Sequence, residues 1–213
     1  MVILKKKTTK ISDTKNVSVR KGTEEKLINA ATQVFAQHGF KGATTRMIAQ
    51  KANVNIALIN RYFDGKMGLF FEVISRKSKS NLHAPIDYPV QETLSAECYH
   101  FLIMRLNRHI KEIKLFKIVF SQLLTDRNFQ KKFNDSLIEF EDYAEISARI
   151  EKLKIDGKVA SALEPLPFLE IISLHLIAVF ICDHVICTKT YDDLDAQIKS
   201  FIRHICTPYE ITA

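Results

Sequence analysis

The side chains with the richest chemistry in this sequence cluster between Thr45 and Lys66. Arg46, Asn55, Asn60, Arg61 and Tyr62 bring guanidinium, carboxamide and phenol groups that hydrogen-bond well. The pattern is one of recognition rather than catalysis. The chain has no Gly-rich phosphate loop, no HExxH zinc pattern and no nucleophile elbow, and its seven histidines lack an evident partner arrangement.

Apolar spacing around these groups says how they must be held. Ile48, Ala49 and Ala52 mark the inner side of a short helix over Thr45–Ala52. Ile59 and Phe63 mark the inner side of a second, over Ile56–Phe63. Between them, Asn53 suits the left-handed residue that ends a helix, Val54 plugs the turn, and Asn55 caps the second helix. This is a helix-turn-helix, whose second helix enters the DNA major groove. Packing the apolar side leaves Arg46, Asn55, Ile56, Ala57, Asn60, Arg61 and Tyr62 facing outward.

The flanking helices must brace this pair. Thr23 reads as a cap, with Glu24 and Glu25 in the favourable first turn. Leu27, Ala30, Ala31, Val34 and Phe35 form its stripe, Gly39 ends it, and Phe40 tucks back. After an Asp64-Gly65 turn, Lys66 opens another helix, placed to meet a phosphate alongside the free amides. Leu69, Phe70, Val73 and Ile74 are its buried face.

Charge agrees with a polyanion partner. Residues 1–66 hold thirteen lysines and arginines against four acids, a net of +9, whereas the other 147 carry 18 basic and 20 acidic residues, a net of −2. Residues 1–22 read as a flexible basic arm, either tracking phosphates or simply solvated. Cys98, Cys182, Cys187 and Cys206 fall in apolar helical patterns and read as small core side chains. Cys182, His184 and Cys187 match no common zinc spacing and would not share one helix face, so no metal or cofactor is expected. The most apolar stretch, 171–187, is broken by His175, Asp183 and His184. No membrane span or secretory signal is expected, and the cytoplasm is the expected location.

A Pro-containing break at 83–90 separates two regions, and helical spacing resumes at Leu94, Cys98, Phe101, Leu102 and Leu106. Further sets are Phe116, Val119, Phe120, Leu123 and Leu124, then Phe129, Phe133, Leu137, Phe140 and Ala144. Two last helices span about 168–187 and 192–206. No alternating strand pattern or internal repeat occurs, so the fold class is all-α.

Residues 23–70 resemble the DNA-binding domain of the TetR (tetracycline-repressor-like) family of transcription regulators. The resemblance rests on Ala30-Ala31, Phe35, Gly39-Phe40, Thr44-Thr45, Ile48-Ala49, Ala52-Asn53-Val54, Tyr62-Phe63, Lys66 and Leu69-Phe70. Asn53 replaces a usual Gly, Asn60 a frequent Tyr, and Ile56 a commonly polar residue. The resemblance implies an arm over 1–22, a DNA-binding domain over 23–68, and a helical effector-binding and dimerisation domain over 69–213. It implies phosphate contacts by Thr45, Arg61, Tyr62 and Lys66, and base or phosphate contact by Arg46. Asn55, Ile56, Ala57 and Asn60 would face the groove, the apolar pair toward thymine methyls and Asn60 toward adenine. It further implies a homodimer on a palindromic operator, joined through Ile181, Val185, Leu194, Ile198, Phe201, Ile202 and Ile205. A small apolar or amphipathic effector would bind among Phe101, Met104, Arg105, Phe116, Phe120, Phe140, Tyr143 and His175 and release the operator. The alternatives are a DNA-binding regulator without an effector, and an enzyme with an accessory helix-turn-helix.

Overall fold

The computed structural model describes residues 9–82, 84–136 and 143–211, with side chains described for 19–77, 84–135 and 143–211. It is all-α. Among the described residues, extended pairing is limited to one antiparallel bridge between Val159 and Glu210. The chain forms two compact units. Among the described residues, the first comprises 9–79 and 118–136, and the second 80–117 and 143–211.

In the first unit, α1 (Thr9–Gly42) precedes the short α2 (Thr45–Ala52) and α3 (Ala57–Phe63), and α4 (Gly65–Leu82) follows. Leu27, Ala31, Phe35, Ile48, Ile59, Leu69, Phe70 and Val73 are buried completely, so the apolar stripes of all four helices meet. Phe70 packs edge-on to Phe35 at 4.8 Å, and Phe40 folds back to within 5.0 Å of Phe70. Fully burying each such ring contributes roughly 1.5–3 kcal/mol. Helix α7 (Arg127–Ser136) adds Phe129, stacked on Phe71 at 4.9 Å and on Phe133 at 5.9 Å. That aromatic packing is why the unit extends beyond residue 68 and recruits residues from 118 onward.

Helix α1 starts earlier than the sequence reading placed it. Thr23 lies inside it rather than at its end: its hydroxyl donates to the Val19 carbonyl at 2.9 Å, and Arg20 pairs with Glu24 one turn on at 2.8 Å. Of the basic arm, residues 1–8 lie outside the described residues, and 9–22 are helical. The segment has no proline to stop a helix, and the 20/24 pair spans one turn. Gly39, at φ +68°, breaks the helical path as expected.

The second unit is built on α5 (Leu94–Lys111), α8 (Ala144–Ile155), α9 (Pro165–Ala178) with its π-helical continuation Val179–Ile186, and α10 (Tyr191–Cys206). Helix α6 (Ile113–Thr125) gives its first residues to this unit and the rest to the other. Thr93 caps α5, and a reciprocal Thr190–Asp193 box caps α10. The core gathers Leu94, Cys98, Leu102, Leu106, Ile150, Leu169, Ile172, Phe180, Leu194 and Ile198. Buried Glu97 is satisfied by Arg149 at 3.2 Å, the Tyr88 hydroxyl at 3.0 Å and the Gln91 amide at 2.7 Å, which ties the loop before α5 into the unit.

Three expectations are corrected here. Cys182 and Cys187 are exposed, and only Cys98 and Cys206 are core thiols. Pro165–Ile186 forms one helix long and apolar enough to cross a membrane by length and composition, because its His175, Asp183 and His184 are too few to offset its aliphatic residues. Phe168, Leu169, Ile172, Leu176, Val179 and Phe180 of that helix are nevertheless buried in the protein. Finally, Leu194, Ile198 and Ile202 are buried within their own protomer, since the single amphipathic stripe of α10 is spent on the core.

Candidate nucleic-acid interface

Local signals fix the geometry of α2 and α3. Thr44, in extended conformation, caps α2 by accepting from the Met47 amide at 3.2 Å. Asn53 is left-handed at φ 52°, which no β-branched residue would tolerate cheaply, and its amide returns to the Gln50 carbonyl at 3.1 Å. Val54 bonds back to Ala49 at 3.1 Å and is half-buried. The carboxamide of Asn55 accepts from the Ala57 amide at 2.8 Å and starts α3 one residue later than its apolar pattern suggested. Ile48, Ala49, Ala52 and Ile59 are buried between these elements.

The outward set follows. Arg46, Asn55, Ala57, Asn60 and Arg61 are exposed, Thr45 is half-buried at the start of α2, and Ile56 is 46 % exposed. Ala57, Asn60 and Arg61 stand three and four residues apart and therefore share one face of α3. Every neighbour on that face is a hydrogen-bonding or small group. An exposed isoleucine at the helix start is otherwise unexplained in a surface this polar.

Two residues of the set are used differently. Tyr62 is half-buried, edge-on to Phe63 at 6.3 Å, with the Arg20 guanidinium 5.2 Å over its ring. Lys66 is the larger departure. Its ammonium donates to the Phe40 carbonyl at 2.9 Å and the Ala43 carbonyl at 3.0 Å, and lies 4.6 Å from the Phe40 ring centre. It closes the α1–α2 turn onto α4, so two of its three N–H donors are engaged within the unit.

Sequence reasoning missed Gly68. A Cβ built there would lie 1.7 Å from the Phe63 carbonyl oxygen, so α4 can seat under the end of α3 only with glycine at this position. Its signal was a glycine inside a helical pattern. Asp64 and Gly65, at φ 57° and 92°, make the reversal between the two helices. Arg76 of α4 pairs with Glu25 of α1 and with Glu72, and so holds those helices from outside.

Among the described residues, two of the proposed effector positions, Met104 and His175, line clefts, and these clefts are separate. Phe101, Met104 and Arg105 are buried, with the Arg105 guanidinium 5.5 Å over the Phe101 ring and Tyr143 6.3 Å from it. Phe116 packs edge-on to Phe180 at 4.8 Å, and half-buried Phe120 belongs to the first unit. Phe140 lies outside the described residues. His175 stacks on Phe201 at 3.6 Å and, with Val179, Asp183, Gln197, Ser200 and His204, lines an open cleft of about 410 Å³. Burial lowers the His175 pKa below its ordinary value, with Asp183 acting weakly the other way. Met104 lines a separate cleft of about 430 Å³ with Asp87, Asn107, Arg108, Ile110 and Lys111. Of the suggested interface residues, Ile181, Val185, Phe201 and Ile205 are half-buried. Several exposed aliphatic groups, Leu166, Ile171, Leu174 and Ile177, lie on α9.

Residues 27–73 match the family model described as "Bacterial regulatory proteins, tetR family". Two curated proteins of Bacillus subtilis (strain 168) are similar over the same part of the chain. "Probable HTH-type transcriptional regulator YttP" is 45% identical over 53 residues, 25% of this chain and 26% of that protein. "Uncharacterized HTH-type transcriptional regulator YvkB" is 38% identical over 58 residues, 27% of this chain and 31% of that protein. The matches thus span about a quarter to a third of these relatives. Over nearly the whole chain the fold is that of a TetR family transcriptional regulator from Pseudomonas syringae pv. tomato, at TM-score 0.60 and 19% identity, covering 90% of this chain and 98% of that one. It is also that of the Flavonoid-responsive Regulator FrrA, at TM-score 0.59 and 19% identity, covering 91% and 100%.

Proposed function

We propose that this chain, whose residues 27–73 match the model of the tetR family of bacterial regulatory proteins, is a cytoplasmic transcription repressor that binds a palindromic operator as a homodimer. The observation that carries the reading is the exposed, polar face of α3, held by a fully buried aliphatic inner side. In this reading Arg46, Asn55, Asn60 and the Ile56–Ala57 pair face the base edges in the groove, while Thr45 and Arg61 fix the register on phosphates. Tyr62 contributes its hydroxyl at the rim of the contact. The +9 charge of residues 1–66 supplies the long-range attraction.

The homodimer forms through the outer side of α9, where Ile171, Leu174 and Ile177 stand exposed, with Phe201 and Ile205 of α10 at its margin. Two half-sites about one helical turn apart, or a multiple of it, then bind one dimer. A small effector binds the second unit and favours the arrangement that cannot hold DNA. Its place is the cleft lined by Asp87, Met104, Asn107, Arg108, Ile110 and Lys111, whose mixed apolar and charged lining suits an amphipathic molecule.

The test is fluorescence anisotropy with labelled duplexes, comparing wild type with Arg46→Ala and Asn60→Ala. Loss of preference at one base pair per half-site, worth about 1–3 kcal/mol, supports base reading. Equal losses on all duplexes refute it.

A further inference from the structure

Cys182 and Cys187 are exposed, whereas Cys98 and Cys206 are buried. Five residues apart on an α-helix, two Cα atoms are separated by about 9 Å and point to different sides. The helix here is a π-helix over Val179–Ile186, and the Cys187 amide donates to the Cys182 carbonyl at 3.0 Å. That i to i+5 bond defines a π turn, so Cys187 sits one turn above Cys182 on the same side. The π register brings the two residues closer than an α register would, and rotation of the two side chains must supply the rest of the approach a bridge needs.

We propose that Cys182 and Cys187 form a reversible dithiol–disulfide site that responds to hydrogen peroxide. One thiolate attacks the peroxide: an S–O bond forms, the O–O bond breaks, and hydroxide leaves, giving a sulfenic acid. The second thiolate attacks that sulfur: the S–S bond forms, the S–O bond breaks, and the departing hydroxide takes a proton to become water. In sum, two thiols are oxidised and one peroxide is reduced to two waters. The bridge holds the π turn closed against reversion to the α register.

Surrounding groups agree with this assignment. Lys189, two residues beyond Cys187, pairs with Asp183 at 2.9 Å, and that partner raises its pKa. Cys98 and Cys206 form an internal control. Their thiols hydrogen-bond to each other in the core, and that bond together with burial pushes the Cys98 pKa well up.

The experiment uses the full chain, reduced and then treated with hydrogen peroxide, and reads thiols only, so it stands apart from DNA binding. Aromatic disulfide reagent should titrate the two exposed thiols quickly and the core pair slowly. After peroxide the fast pair should disappear and return with dithiothreitol. Unreduced peptide mapping should show Cys182 linked to Cys187 within one chain. In Cys187→Ser, Cys182 should stop at a sulfenic acid that dimedone traps. A link between two chains, separate over-oxidation without a bridge, or fast thiols that survive peroxide would each overturn the proposal.

Discussion

Replacing Gly68 with alanine adds one methyl group at the point where α4 meets the end of α3. Its carbon would stand 1.7 Å from the Phe63 carbonyl oxygen and 2.9 Å from the carbonyl carbon. Ordinary contact needs at least about 3.4 Å, so the helices must part by roughly 1.5–2 Å. Both clashing atoms are backbone, and no rotamer change relieves them. Overpacking of this kind costs about 1–3 kcal/mol, occasionally more, and this site belongs at the upper end. For a chain of this size the melting temperature falls by about 2–4 °C per kcal/mol, so a drop of roughly 5–12 °C is expected. Affinity for duplex DNA should fall with it, because α3 loses its seat. Gly22→Ala is the matched control: nothing lies within 4 Å of its Cβ, and its helical position predicts a gain of about 0.5–1 kcal/mol. Thermal melts followed by circular dichroism compare the two. An unchanged melting temperature and unchanged DNA affinity in Gly68→Ala would refute the close-approach argument.

Lys66→Met removes two charge-assisted hydrogen bonds to Phe40 and Ala43, and should cost about 1–3 kcal/mol in urea unfolding. The salt dependence of DNA binding should keep its slope; a slope reduced by one phosphate contact would restore the phosphate role. Leu174→Asp should leave the fold intact and halve the sedimenting mass, since Leu174 is 68% exposed, whereas Ile198→Asp should unfold the protomer. A dimer surviving Leu174→Asp would move the interface elsewhere. Burial lowers the His175 pKa from 6.5, so the unfolded chain takes up the proton first as pH falls. Stability should therefore be full above about pH 7 and decline as pH drops through the ordinary histidine range. His175→Gln should flatten that decline, and an unchanged pH profile would contradict it.

The first unit was legible because its cues are local. The Asn53 turn, the Asn55 cap, Gly39 and the Asp64-Gly65 reversal each follow from one residue's conformational preference, and each appears where it was read. Lys66 and Gly68 were not legible, since their roles depend on carbonyl groups of Phe40, Ala43 and Phe63 that are brought near only by folding. The second unit was legible in class but not in faces. The α9 helix is apolar on every side, so periodicity could not tell its core side from its exposed side, and Leu194, Ile198 and Ile202 were placed at an interface although they fill the core. The π register of Val179–Ile186 leaves no mark in hydrophobic spacing, so the relative placement of Cys182 and Cys187 was not legible in the sequence.

The central claim is that two copies of α3 read one symmetric duplex site. Selection of bound sequences from random duplex DNA by the purified protein tests it directly. An enriched inverted repeat, lost in the Asn60→Ala variant, is the predicted result. Recovery of unselected sequence at low ionic strength, with no repeat emerging over successive rounds, would contradict it.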